Sequence, residues 1–397
     1  MKYSLRSFVT ALAIVYGTAF LQGLMLVSYP ASSTFLKSMR GLSDQQYGLV
    51  FLPQLALAVV GAAAGGWLAR RLGLRLLLAL ALLGTGLSQL ALAIAGRMPG
   101  EWVFPLSAVS AGFTGLAFGL GAAPLNALPA LLLPERAQAA LVALHTGIGA
   151  GLALGPLLVA RALEAEHWPW FSLAVALAAG ALLIATLLVR LPEPAKNLAR
   201  AGATRTDSPL GAPVFWGFAA VAVLYSFAEG IFANWSVIYL HEERGVSGMT
   251  ASLALSAFWA AIAVGRLVSS ALLLRVRAVT LWRALPLLMI AACLLLPAVR
   301  GATSGIALFA LAGLGCSAFF PLTIGLASDR FAASAALVSS ALIAALMIGN
   351  GLGSFVLGPL REGRSLAVLY AAAAVFPAGA LLVGWRLARP APAQTVT

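Results

Sequence analysis

Twelve stretches of about 20 predominantly apolar residues follow one another along this chain, and each is long enough to cross the roughly 30 Å hydrocarbon core of a bilayer as a helix. They fall near 8–30, 44–69, 74–96, 103–133, 138–162, 168–190, 214–240, 248–274, 280–299, 303–328, 333–360 and 365–388. Short charged or Pro/Gly-rich breaks separate them. The composition agrees: 61% of the 397 residues are hydrophobic and 9% are charged, which no water-soluble domain tolerates. The expected class is therefore an all-α membrane protein with twelve transmembrane helices and the lipid bilayer as its solvent.

A formal net charge of +13 would point to nucleic acid in a soluble protein. Here it is read span by span, because Lys and Arg accumulate in cytoplasmic loops. Placing the N-terminus inside puts sixteen of the 25 basic residues on that side and eight on the other. Both termini are thus expected in the cytoplasm, in the inner membrane of a bacterial cell, with no nucleic-acid partner. The first apolar run is long and lacks a small-residue cleavage site before Tyr29 and Pro30, so it reads as a retained span. Cys293 and Cys316 both fall inside spans, and His145, His167 and His241 are scattered. That pattern leaves no disulfide framework or metal-ligand spacing, and no cofactor is expected.

The segment 191–213 is the one long stretch too polar and Pro/Gly-rich to enter a membrane. It divides the chain into a 1–190 bundle and a 214–397 bundle of six spans each, with a cytoplasmic linker between. The halves echo one another at an offset near 200: Gly66 with Gly265, and Gly155-Pro156 with Gly358-Pro359. AAPLNALPALLLPER and AFFPLTIGLASDR correspond as well, each Pro-interrupted and ending in an acid-Arg pair. Parallel six-span repeats with a mid-membrane site between them are the architecture of major facilitator transporters.

Two stretches sharpen the resemblance. YSFAEGIFANWSVIYLHEERGVS with ALSAFWAAIAVGRL, and NALPALLLPERAQAALVALHTGIGAGLALGPLL, resemble the seventh-eighth and fourth-fifth spans of the fucose permease-like branch, the sugar:proton symporters and their relatives. The resemblance implies a secondary active transporter working by alternating access, a monomer without enzymatic chemistry, moving a small neutral polar solute with protons. The alternative is proton-driven export of a hydrophobic or amphipathic compound. Two departures matter. The superfamily loop between spans two and three usually carries an Asp where GWLARRLG places Arg70, so Glu135 or Asp329 would have to supply the charge of an inner gate. The fucose permease also resembles a two-acid machine, and this chain offers Gln22 and Asn126 in those regions.

Glu229 is the only acidic residue deep inside an apolar run. A carboxyl there costs at least about 2.5 kcal/mol, so it is expected to face a cavity, a partner or a proton path. It reads either as the proton carrier or as a neutral structural donor bridging two helices. Tyr225 lies one turn earlier on the same face. Asn234 and Trp235 lie off that face and would join a cavity only if the span bends near Gly230. Asn126 and His145 sit at similar depth on antiparallel spans, as a substrate or proton-relay pair or as interhelical glue. Gln22, Gln54 and Asn350 fall mid-span, where an amide must be paired or face water. Trp259 shares a helical face with Ser256 and Arg266. Arg266, nearer the inner end, reads as a gating residue that pairs with a helix C-terminus or with Asp329.

Overall fold

The computed structural model describes residues 5–193 and 209–387, so most of the 191–213 linker lies outside the described residues. All regular structure among those described is helical. The first half holds α1 (Leu5–Ala31), α2 (Asp44–Leu49), α3 (Phe51–Ala95), α4 (Gly100–Leu132), α5 (Ala137–Glu164) and α6 (Trp168–Leu188). Then come α7 (Pro213–Ile238), α8 (Gly248–Leu272), α9 (Ala278–Leu295), α10 (Ala302–Cys316), α11 (Phe319–Arg330), α12 (Ala335–Leu360), α13 (Leu366–Ala373) and α14 (Val375–Leu387).

Eleven helical stretches are long and apolar enough to cross a membrane, and one of them, Asp44–Ala95, is 52 residues long. At 1.5 Å per residue it would reach about 78 Å, more than twice the hydrocarbon thickness, so it must cross twice. The turn is at Gly73, with φ 82° and ψ 161°, a backbone region open mainly to glycine. Beyond the turn the helix restarts under a carboxylate cap: Leu74 and Arg75 donate their backbone N–H groups to Glu193 at 2.9 and 3.1 Å. Twelve crossings result. The expected tenth span, 303–328, is broken rather than continuous, because the helix stops at Cys316 and resumes at Phe319.

Two ends of the molecule follow from this threading. At the Lys37 end α1 and α7 finish, α2 begins and α12 finishes. At the Arg70 end lie the Gly73 turn, the start of α5 and the end of α11.

In lipid, apolar side chains gain nothing by leaving the solvent for each other, so helices associate through close backbone approach and hydrogen bonds. Both devices are present. Ser88 of α3 meets Ser110 and Thr114 of α4 at 3.3 and 2.7 Å. Gln89 donates to Ser28 of α1 at 2.9 Å, and Trp282 of α9 donates to Thr323 of α11 at 2.8 Å. Gly23 of α1 lies against the backbone of Ile148 and Gly151 in α5, and Gly230 of α7 against the backbone of Asn350 in α12, with no room for a Cβ at either place. These are the first and fifth crossings of one half and the first and fifth of the other. The halves meet where α5 packs on α8 and where α2 and α3 pack on α12.

Candidate functional site

The break in the tenth crossing leaves the last carbonyls of α10 without intrahelical partners. Two side chains satisfy them. Tyr225 of α7 donates its hydroxyl to the Cys316 carbonyl at 2.9 Å, and Arg266 of α8 donates Nε to the Ser317 carbonyl at 3.1 Å. A cation suits this position, since a helix C-terminus carries partial negative charge. Glu229, one turn beyond Tyr225 and 8% exposed, is the only charged residue buried to this degree among those described. Its carboxyl lies beside the Tyr225 hydroxyl and within the field of Arg266.

That arrangement has a chemical consequence. A phenol has one proton to give, and Tyr225 spends it on Cys316. A hydrogen bond between Tyr225 and Glu229 forms either with a protonated Glu229 as donor, which leaves the Cys316 bond in place, or with the hydroxyl turned from Cys316 to a carboxylate.

The remaining expected residues divide into three groups. His145 of α5 lies close enough to Arg266 for their charges to interact and is exposed, which links it to the Glu229 cluster through Arg266. Gln22 is buried and its amide lies against Gly121 of α4, while Gln54 is half-buried in α3. Trp259 is half-buried, and its indole N–H has no acceptor, which leaves a donor for a ligand. Asn126 is exposed and donates to Ala122 of its own turn at 2.8 Å, so it makes no bond to His145.

Asn234 bridges two helices, and Asn350 meets the same contact through its backbone. The α7 helix runs unbroken through Gly230, and the glycine admits the α12 backbone instead of bending the span. Asn234 reaches across that contact: both its amide hydrogens are used, on the Gly230 carbonyl at 3.0 Å and on Ser354 Oγ at 2.7 Å. The Asn350 carbonyl accepts from Ser354 at 2.7 Å. The Asn234 side chain and the Asn350 backbone thus lie in the α7–α12 seam.

The gate expected at Arg70 is not engaged in this state. Arg70, Glu135 and Asp329 are exposed, and none of them joins an ion pair among the described residues. The charges that bind the halves lie at the other end. Lys37 is 2.7 Å from both Asp44 and Glu242. Arg361 reaches Asp44 at 2.9 Å, Glu242 at 3.0 Å and Glu243 at 3.1 Å. Glu243 also caps α13, accepting from Leu366 N and Ala367 N at 2.6 and 3.2 Å. Beneath this network Tyr47 donates to the Asn234 carbonyl at 2.6 Å and meets Trp235 edge-on at 4.9 Å. Tyr29 stacks on Tyr47 at 5.0 Å. Five charged groups and an aromatic plug thus close the Lys37 end.

A twelve-crossing helical chain with a buried acid at a broken span and a charged closure at one end is built as a membrane carrier. The family model of the Major Facilitator Superfamily matches residues 10–354, and the chain belongs to that superfamily of transporters. Comparison with curated proteins gives no match. Among solved structures, a mutant form of the nucleoside transporter NupG superimposes with a TM-score of 0.77 at 14% identity, covering 96% of this chain and 100% of that one. A D-xylose-proton symporter gives 0.75 at 15% identity, with 98% of each chain covered. FucP in the outward conformation gives 0.62 at 16% identity, covering 97% and 100%. At these identities the likeness establishes the fold.

Proposed function

We propose that this transporter carries a small, neutral, polar solute across the inner membrane together with a proton, and that Glu229 is the group the proton rides on. The observation behind this reading is the placement of one buried acid beside Tyr225 and Arg266 at the broken tenth crossing. Carriers place their coupling sites at discontinuous helices, where unpaired carbonyls and helix ends supply fixed partial charges. The fold likeness to a D-xylose-proton symporter and to a nucleoside transporter supports a hydroxyl-rich solute. Amides at Gln22 and Gln54, the free indole N–H of Trp259 and His145 supply the neutral or titratable donors such a solute needs.

The energetics are sufficient with one acid. A proton crossing 100 mV releases about 2.3 kcal/mol, and one pH unit adds about 1.4 kcal/mol. Together they sustain a solute gradient of roughly several hundredfold, at 1.4 kcal/mol per factor of ten. With the Lys37 end closed, this state offers its site toward the Arg70 end, which the distribution of Lys and Arg assigns to the cytoplasm. On this reading the two six-span bundles, 1–190 and 214–397, rock about the site while the linker stays cytoplasmic.

The test is a panel assay in proteoliposomes loaded with a pH-sensitive dye. Pentoses, hexoses, nucleosides and amphipathic amines are added outside, one at a time. The proposal expects at least one sugar or nucleoside to carry protons inward. Proton movement only with the amines, or in the opposite direction, would replace it with the export reading.

A further inference from the structure

Near the Arg70 end, α9 packs against α14, and between them a groove of about 520 Å³ is lined by Thr280, Arg283, Ala284, Leu287, Leu382 and Trp385. It opens on the membrane face, because Leu287, Leu382 and Trp385 are all more than half exposed. Arg283 is the anomaly in this wall. Its guanidinium lies over the Trp385 ring, 5.1 Å from the centroid, while its Nε is buried with no acceptor in reach. No carboxylate pairs with it among the described residues, nor with Arg275, Arg277 or Arg386 at the same end.

An ionised side chain with a buried, unbonded donor is costly in a low-dielectric wall. The side chain as a whole is half-buried, so an anion at the mouth of this apolar groove can meet the rest of the guanidinium and offset its charge. Arg283 is the sixth residue of α9, which sets it roughly 8 Å below the start of the helix at 1.5 Å per residue. That depth, shared with an exposed tryptophan, belongs to the interfacial belt where lipid headgroups meet the chains. Basic pockets between spans are suited to lipid phosphates. The larger cavity of this end, about 790 Å³ beside Arg75 and Glu193, lacks this property. Arg75 already donates to Thr186 and Leu187 carbonyls, and Glu193 brings its own negative charge.

We propose that the α9–α14 groove binds one anionic phospholipid, its phosphate bonded to Arg283 and one acyl chain lying between Leu287 and Leu382. The charge complements Arg283, and the leucines match the hydrocarbon. Trp385 holds the guanidinium on one face so that its free edge meets the phosphate.

Native mass spectrometry of the purified full chain tests this, with phosphatidylglycerol and phosphatidylcholine of identical chains as probes. The wild type is expected to retain one phosphatidylglycerol at least fivefold more often than phosphatidylcholine. Arg283→Gln should lower that retention at least fivefold and abolish the preference. Ala284→Phe, which fills the groove and leaves Arg283 in place, should lose the lipid as well. The Phe variant decides the matter if Arg283→Gln does not fold. A thermal midpoint raised by phosphatidylglycerol in the wild type and unmoved in either variant would agree. Equal retention of the two lipids, retention unchanged in both variants, or the same stabilisation by millimolar inorganic phosphate alone would each overturn the proposal.

Discussion

Arg361, at the end of α12, sits 2.9 Å from Asp44 at the start of α2, and through this pair the end of the fifth crossing of one half holds the second crossing of the other. Single exposed ion pairs contribute about 0–1 kcal/mol. Arg361 is only 13% exposed and engages three carboxylates, so its removal leaves Asp44 and Glu242 to share Lys37 alone and Glu243 without an ion-pair partner.

Arg361→Ala is therefore expected to favour the state open at the Lys37 end by tenfold or more, about 1.4 kcal/mol. Spin labels at Met39 and Glu362 would report a longer distance population in the variant. Exchanging the charges, Asp44→Arg with Arg361→Asp, should recover part of the closed population. An unchanged distance distribution in Arg361→Ala would remove the network from any gating role.

Glu229→Gln keeps the shape of the protonated acid and cannot release a proton. Accumulation driven by a pH difference should disappear, while counterflow of the same solute without a gradient should persist at a measurable rate. Both are measured in one batch of proteoliposomes. A variant that still concentrates solute with full proton flux would transfer the coupling role to His145.

Tyr225→Phe removes the hydroxyl that satisfies Cys316 and abuts Glu229. An unsatisfied buried carbonyl costs about 1–3 kcal/mol, so the thermal midpoint in detergent should fall by several degrees. The proton-to-solute ratio should fall with it. A variant with wild-type stability and coupling would show that the Cys316 bond is incidental.

The two backbone seams predict a contrast among glycines. Gly23→Ala and Gly230→Ala would push a methyl into the facing backbone, and overpacking of this kind costs roughly 1–3 kcal/mol. Gly180→Ala in α6 meets nothing within 4 Å and should gain stability, since alanine favours helix by up to about 1 kcal/mol. Chemical denaturation of the three purified variants orders them. Equal stabilities would show that the seams are loose.

Topology is checked by cysteine labelling in a background without Cys293 and Cys316. A membrane-impermeant maleimide added to intact cells should modify Glu362→Cys and spare Glu135→Cys. The reverse pattern would invert the protein in the membrane.

Spans and the buried acid were legible in the sequence because both are local signals. A 20-residue apolar window identifies a crossing by itself, and a carboxylate inside one is conspicuous. The break between Cys316 and Phe319 was marked only by Pro321, which has no N–H for the Ser317 carbonyl; apolar residues continue through it and the window average is blind to a lost turn. The gate was hidden for another reason. Asp44, Glu242 and Glu243 were visible as loop acids, but their partner Arg361 is over 100 residues from the nearest of them, and no spacing rule links such positions. The loop between the second and third crossings points to a gate at Arg70, the opposite end, which carries no ion pair among the described residues in this state. The role of Asn234 depended on which face of α7 meets α12, which a helix apolar on all sides does not disclose.

The paired contacts at Gly23 and Gly230 bear on how such a protein can change its cargo. Backbone fitted to backbone makes each half a stiff lever, and a stiff lever tolerates new side chains on its inner face without altering its stroke. On the proposed reading, specificity at Gln22, Gln54 or Trp259 can then drift by single substitutions while the machine that carries them stays the same.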